Sequence, residues 1–200
     1  MNWKVVLAVV IVAFMGVFLY KEYIEETPDS KAETAGSESN AESNSSSEGE
    51  NQSTDGKYGL LVGQQPPNIQ LTTLDNKPFN LTDYKGKTVI LNFWATWCPP
   101  CKAEMPDMQK FYEKHKNEGV EVVAVNLTSA EKSKDHIQKF IDEYQISFTV
   151  PLDPTGATSQ QYEVYSIPSS FIIDKEGVIR QHVIGPMSYD WMINEVKKLQ

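Results

Sequence analysis

The stretch NFWATWCPPC, residues 92–101, ends an apolar run that starts at Thr88 and contains both cysteines of the chain. Residues 88–95 are almost continuously apolar, which is typical of a central strand buried on both faces. Beyond the cysteines, apolar residues recur at helical spacing, and this predicts a helix over residues 100–116. Cys98 and Cys101 therefore lie where a buried strand ends and a helix begins.

This position gives the two sulfur atoms a chemical role. A helix N-terminus carries unpaired N–H groups and a partial positive charge, which favour the thiolate form of Cys98. Cys101 lies within the first helical turn and can attack a mixed disulfide formed at Cys98. The spacing predicts dithiol–disulfide exchange, with Cys98 as the attacking cysteine and Cys101 as the resolving one.

A cysteine pair at this spacing has three other possible roles besides redox catalysis. A purely structural disulfide would close so short a loop that it removes little chain entropy. A zinc site needs four ligands, and the sequence offers one cysteine pair and three scattered histidines. A copper-handling site suits two soft sulfur ligands better and stays open as an alternative. We predict redox catalysis, with no metal ligand set and no cofactor.

Charge is distributed unevenly along the chain, whose formal net charge is −9. Ten acids and one base lie within residues 22–55, so this segment alone accounts for that charge, while the rest of the chain is nearly neutral. No basic surface large enough to bind a phosphate backbone is expected, which makes nucleic acid an unsuitable partner.

The N-terminal part of the chain has two compositions in succession. Residues 5–20 carry no charge and lie between Lys4 and Lys21, which predicts a transmembrane anchor within residues 1–24; a cleaved signal peptide is the alternative. Residues 25–57 are acidic, rich in serine and nearly devoid of apolar side chains, so we predict a disordered linker. An amino terminus inside the cytoplasm would place residues 58–200, the predicted folded domain, outside it.

Within residues 58–200, strand-like and helix-like patterns alternate. A hairpin is predicted over residues 69–81, a strand over 120–126, a helix over 136–144, two strands over 171–174 and 178–184, and a final helix over 188–199. This order indicates an α/β domain with a mixed central sheet flanked by helices on both faces.

Three separated motifs resemble those of the thioredoxin-like proteins of the TlpA and ResA type, which are membrane-tethered thiol-disulfide oxidoreductases. They are PFNLTDYKGKTVILNFWATWCPPC (78–101), AEMP (103–106) and IPSSFIID (167–174). The resemblance runs over residues 63–198. It implies a thioredoxin-like fold with an amino-terminal hairpin and a central insertion.

The resemblance also implies roles for residues outside the cysteine pair. The Ile167–Pro168 peptide bond is expected to be cis and to face the cysteines, leaving a backbone edge open to an extended substrate. Glu104 matches the glutamate that this family uses near its active site, whereas thioredoxins carry a buried aspartate where Asn92 stands. We hypothesise that Glu104 is partly desolvated, has a raised pKa and exchanges a proton with Cys101. Trp97 is expected to line the substrate groove.

The residues between the cysteines bear on the direction of the reaction. Neither Pro99 nor Pro100 has an N–H group to donate to the Cys98 thiolate, which is therefore less stabilised than in strongly oxidising relatives. A less stabilised thiolate makes a less oxidising disulfide, so we predict a reductant.

The expected substrates are protein disulfides, such as those of apocytochrome c or of envelope and spore proteins. The resemblance suggests a CcdA-type membrane thiol transporter as the electron donor. A copper-handling chaperone and a thiol peroxidase on the same fold are the alternatives.

Overall fold

The computed structural model describes residue 3 and residues 57–199. Apart from Trp3 and Lys57, the predicted anchor and linker lie outside the described residues. Among the residues that are described, no helix is both long enough and apolar enough to cross a membrane.

Seven strands form one mixed sheet in the order β2-β1-β5-β4-β3-β6-β7. Its strands are β1 (Gln70–Thr73), β2 (Pro78–Asn80), β3 (Thr88–Trp94), β4 (Val120–Asn126), β5 (Pro151–Leu152), β6 (Ser169–Ile173) and β7 (Ile179–Ile184). The central strands β3, β4 and β5 run parallel, and the strands on either side of them pair antiparallel. The predicted α/β class, mixed sheet and amino-terminal hairpin are confirmed.

Within residues 57–199, four α-helices accompany the sheet: α1 (Pro99–His115), α2 (Lys134–Glu143), α3 (Ala157–Gln161) and α4 (Tyr189–Lys197). Apolar side chains of α1, α2 and α4 join one core cluster, and Tyr162, at the end of α3, joins a second cluster. Helices therefore contribute to both layers of the core, as predicted.

Strand β3 is the centre of this arrangement, because all seven of its residues are buried. Successive side chains of a strand point to opposite faces, so Ile90 and Trp94 join the cluster beneath α1, while Leu91 and Phe93 join the other. Asn92 shares the α1 face with Ile90 and Trp94. The strand thus brings the polar side chain of Asn92 to the face that also carries Ile90 and Trp94, on the side of the helix that begins at the cysteines.

Two short elements were not predicted. Strand β5 has only two residues and is held by pairing with β1 and β4, and α3 has only five residues. Together with α2 they occupy the chain between β4 and β6, where the central insertion was expected. The bounds of β3, β4 and α1 agree with the predicted ones within one residue.

We expect Leu91→Ala to lower the free energy of unfolding by about 2–5 kcal/mol, because the Leu91 side chain is fully buried and its removal leaves a cavity. Leu61→Ala is the matched control, since Leu61 is 71% exposed and its truncation should change stability by less than about 0.5 kcal/mol. Urea denaturation measures both values. Equal losses in the two variants would contradict the placement of β3 in the core.

Candidate active site

The cysteine pair lies at the start of α1. Cys98 is the N-cap residue, with extended backbone angles, and the helix begins at Pro99. Cys98 and Cys101 are joined by a disulfide bond, with their Cα atoms 5.3 Å apart. Proline suits the first turn of a helix because its missing N–H would have no partner there, so the sequence itself sets where α1 begins.

The two cysteines differ in how much solvent reaches them. Cys101 is fully buried, while Cys98 is 2% exposed and lies between the exposed residues Trp97 and Pro99. The small exposed part of the pair therefore belongs to Cys98. An incoming sulfur atom meets Cys98 first, and Cys101 is shielded behind it.

Few hydrogen-bond donors face the Cys98 sulfur. The backbone N–H of Cys101 donates to Cys98 Sγ, with an N···S distance of 3.2 Å. An N-cap side chain normally accepts from the second or third helical N–H, but the second helical residue here is Pro100, which has none. One backbone donor is thus present where an ordinary helix start offers two.

A cis peptide bond joins Ile167 to Pro168, as predicted. The carbonyl oxygen of Ile167 lies 3.7 Å from Cys98 Sγ, so this segment faces the cysteine pair. Ile167 is half-buried and Pro168 is buried. The Pro168 carbonyl accepts a hydrogen bond from the Gly185 N–H at 2.8 Å, which fixes the start of β6 beside the end of β7.

Glu104 lies one helical turn beyond Cys101 and is only 2% exposed. Its Oε1 accepts a hydrogen bond from Asn92 Nδ2 at 2.8 Å, and its Oε2 accepts one from the backbone N–H of Met187 at 3.0 Å. The carboxyl group therefore connects α1 to β3 and to the loop before α4.

Burial raises the pKa of Glu104 to about 7, although the hydrogen bonds from Met187 and Asn92 act in the opposite direction. Desolvation disfavours the charged carboxylate more than two neutral donors can stabilise it. The raised pKa agrees with the sequence-based hypothesis. A carboxyl group with this pKa exists in both protonation states near neutral pH, so it is able to accept and to return a proton.

Asn92 does more than occupy the aspartate position of thioredoxins. Its Nδ2 also donates to Ser170 Oγ at 2.9 Å, whereas its buried Oδ1 has no hydrogen-bond partner. In the sequence, Asn92 was indicated by the resemblance, because thioredoxins carry a buried aspartate at this position. The partners Ser170 and Met187 could not be found from spacing, since they lie 78 and 83 residues away from Asn92 and Glu104, respectively.

A second group of hydrogen bonds holds the loop between β3 and α1. Glu131 accepts from the N–H and from the hydroxyl of Thr96, both at 2.6 Å, and from Asn126 Nδ2 at 2.9 Å. Trp97 Nε1 donates to the carbonyl oxygen of Ala130 at 3.0 Å. These hydrogen bonds connect the segment after β4 to the residues immediately before Cys98. No sequence pattern predicted them.

Trp97 is 53% exposed, and its expected place in the substrate groove stays a prediction. Trp94, by contrast, is fully buried and its Nε1 donates to the Ala124 carbonyl at 3.1 Å. Within residues 57–199, no group of three or more His, Cys, Asp or Glu side chains is arranged to hold a metal ion.

Comparison with known proteins identifies the family to which this chain is similar. The model of the AhpC/TSA family matches residues 62–182. Thioredoxin-like protein YneN of Bacillus subtilis (strain 168) is 44% identical over 132 residues, which cover 66% of this chain and 76% of YneN. Thiol-disulfide oxidoreductase ResA of Bacillus thuringiensis subsp. konkukian is 38% identical over 140 residues, covering 70% of this chain and 79% of ResA.

Solved structures agree with the sequence relatives. StoA from Bacillus subtilis superposes with a TM-score of 0.59 at 32% identity, covering 65% of this chain and 96% of StoA. A DsbE-type thiol:disulfide interchange protein from Chlorobium tepidum superposes with a TM-score of 0.62 at 34% identity, covering 70% and 97%. The predicted thioredoxin-like fold is confirmed.

We expect Glu104→Gln to remove a pH dependence of stability. The folded protein binds a proton at Glu104 with a pKa of about 7, against 4.5 for an unperturbed carboxyl group. The resulting stabilisation is fully present below pH 4.5 and is lost as the pH rises through 7, a change of roughly 3 kcal/mol.

Urea denaturation of the oxidised protein at pH 4 and pH 8 measures this effect. The wild type should lose roughly 3 kcal/mol more than Glu104→Gln between these pH values. Glu176→Gln, which changes an exposed carboxyl group, serves as the control and should follow the wild type. Parallel losses in all three proteins would show that Glu104 ionises normally.

Proposed function

The chain belongs to the AhpC/TSA family and is a thiol-disulfide oxidoreductase related to ResA and StoA, and from this premise we propose that it is a reductant of protein disulfides. We assign Cys98, Cys101 and Glu104 as its catalytic residues. Trp97, Ile167 and Pro168 are assigned to substrate binding. The proposal needs no metal and no cofactor, because the two thiols carry the electrons.

The observation that carries the proposal is the unequal burial of the two cysteines at the start of α1. Cys98 caps the helix and has the only exposed part of the pair, whereas Cys101 is fully buried behind it. Exchange with a large substrate requires one accessible sulfur atom that forms the mixed disulfide and one sheltered atom that resolves it. Cys98, which lies between the exposed residues Trp97 and Pro99, is assigned the first role, and the fully buried Cys101 is assigned the second.

The reaction consists of two exchange steps. The Cys98 thiolate attacks one sulfur atom of the substrate disulfide; an S–S bond forms between Cys98 and the substrate, and the other substrate sulfur leaves as a thiolate that takes up a proton. Cys101 then loses its proton and attacks Cys98 Sγ, which releases the second substrate thiolate. Two electrons pass to the substrate, and the enzyme is left with the Cys98–Cys101 disulfide.

Glu104 supports the second step as a proton acceptor. It lies one turn from Cys101 on the inward side of α1, and its pKa of about 7 makes the carboxylate available near neutral pH. In the ionised state it accepts the Cys101 proton as the resolving attack begins. The protonated carboxyl group then returns that proton to solvent or to the departing thiolate.

The direction of the reaction follows from the donors around Cys98. A thiolate stabilised by several N–H groups makes the reduced form more stable and the disulfide more oxidising. Here Pro99 and Pro100 donate nothing, and the Cys101 N–H is the backbone donor recorded at Cys98 Sγ. This scarcity favours a couple closer to the value of thioredoxin, about −270 mV, than to that of DsbA, about −120 mV.

Substrate binding is assigned to the surface around Cys98. Trp97, directly before Cys98, is 53% exposed, and the carbonyl oxygen of Ile167 lies 3.7 Å from the Cys98 sulfur. An extended chain passing between them would bring its disulfide to Cys98. The substrates proposed are apocytochrome c or proteins of the envelope or spore.

The location proposed for this activity rests on the N-terminal sequence. Residues 1–24 would anchor the chain in the cell membrane, residues 25–57 would form a tether, and residues 58–200 would work on the extracytoplasmic side. That compartment has no pool of reducing thiols comparable to that of the cytoplasm. The electrons would therefore come through the membrane, from a thiol transporter of the CcdA type.

Replacement of the resolving cysteine tests the assigned roles. We expect Cys101→Ser, mixed with oxidised insulin, to accumulate a covalent adduct on Cys98, because the first exchange proceeds and the second cannot. Non-reducing electrophoresis and mass spectrometry detect the adduct. The control is Cys98→Ser, which should form little adduct through the buried Cys101, and equal adducts in both variants would refute the assignment.

Restoring the backbone N–H that Pro100 lacks tests the proposed direction of the reaction. Pro100→Ala restores the second helical N–H, so the Cys98 thiolate should be stabilised and the reduction potential should rise by tens of millivolts, on the order of 30 mV. Pro99→Ala is the matched control, because the first helical N–H does not reach an N-cap side chain.

Equilibration with glutathione or dithiothreitol measures the potentials. For the wild type we expect a value below about −180 mV. A wild-type couple above that value would rule out a reductant. Equal potentials in the two alanine variants would show that the missing N–H of Pro100 does not set the direction.

A further inference from the structure

A groove of about 550 Å³ lies beside the loop that carries Cys98. Trp97 and Lys102 line it from the loop and from the first turn of α1, and Lys132, His136 and Lys139 line it from the start of α2. We call these five residues and the space between them the basic groove. Trp97 directly precedes Cys98, so this wall of the groove is one residue from the cysteine pair along the chain.

The cations of the basic groove are exposed and unpaired. Lys102, Lys132 and Lys139 make no ion pair among the residues that the structure describes, whereas Lys77, Lys87, Lys116 and Lys198 each do. Two carboxylates also border the groove, Glu131 and Glu143. Both oxygens of Glu131 already accept hydrogen bonds from Thr96, so they are engaged within the protein.

The two walls of the groove are held together before any substrate arrives. Trp97 donates from Nε1 to the Ala130 carbonyl, and Glu131 binds Thr96, so the active-site loop is tied to the segment leading into α2. A preformed groove avoids part of the entropy cost of ordering a binding surface. Its half-exposed indole ring offers an apolar face beside three lysines.

We propose that the basic groove binds an acidic segment of the protein whose disulfide is reduced. This inference rests on the proposed function and adds a substrate class to it: extended polypeptides that carry Asp or Glu close to the exchanging cysteine. Opposite charge favours binding and suppresses wrong partners, although each exposed pair contributes modestly. The three lysines of the groove outnumber its two carboxylates by one, which gives it a small local excess of positive charge.

The test uses three synthetic peptides that differ only in charge. Each contains one intramolecular disulfide, flanked on both sides by Asp, by Ser or by Lys residues. The full chain is reduced beforehand and mixed with each peptide, and the second-order rate constant is taken from the loss of enzyme thiols. We expect the acidic peptide to react about five times faster than the basic one at low salt.

Two variants and a salt series separate the groove from the cysteines. Lys132→Gln combined with Lys139→Gln should abolish the preference while leaving the rate of the Ser peptide and the reduction potential unchanged. Lys175→Gln is the matched control, because Lys175 is an exposed lysine in the β6–β7 turn, at the other end of the sheet. High salt should also remove the preference, since it screens exposed charges.

Each outcome has a distinct meaning. Equal rates for the acidic and basic peptides would overturn the inference while leaving the proposed function intact. A preference that survives in the double lysine variant would overturn it as well. Failure to reduce any of the three peptides would contradict the proposed function itself, and the inference with it.

Discussion

The packing of α1 against β3 is the constraint on which the rest of the site depends. β3 is buried along its whole length, and only four residues separate it from α1, so the strand fixes the place and direction of the helix. Cys98 is thereby set at the N-cap between two exposed residues, with Cys101 within the first helical turn and Glu104 one turn further along α1. Two carboxylates of α1 also bind backbone N–H groups near the start of α4, Glu104 at Met187 and Asp107 at Tyr189.

Burial of Glu104 is costly for the fold and useful for the chemistry. A carboxylate placed among apolar side chains loses its hydration, and two neutral donors replace only part of it. Asn92 limits this loss in a particular way: it donates one hydrogen bond but brings no charge, whereas an aspartate there would have placed a second acid beside the first. Its unpartnered Oδ1 is a further cost. Burial of Glu104 therefore lowers the stability of the fold above neutral pH. Glu104 is the one carboxyl group in its hydrogen-bond network with Asn92, Ser170 and Met187.

The sequence predicted the parts of this structure that depend on local patterns. Continuous apolar runs predicted β3 and β4, and helical spacing with a cysteine before two prolines predicted α1, each within one residue. It could not predict β5, whose two residues are strand only because β1 and β4 lie beside them. Glu131 could not be predicted for the same reason, because its role depends on a hydrogen bond with Thr96, which lies 35 residues away in the chain. Contacts of this kind are set by the tertiary fold and leave no periodic signal.

The prolines between the cysteines connect the stability of the helix to the chemistry of the sulfur. At the first two helical positions proline has little structural cost, because the N–H groups there have no intrahelical acceptor and the fixed φ angle suits a helix. Those same N–H groups are what a helix start offers to an anion. A sequence that begins α1 with two prolines therefore secures the start of the helix while withholding a donor from Cys98. The backbone positions that begin the helix therefore also limit how many N–H groups can stabilise a thiolate at Cys98.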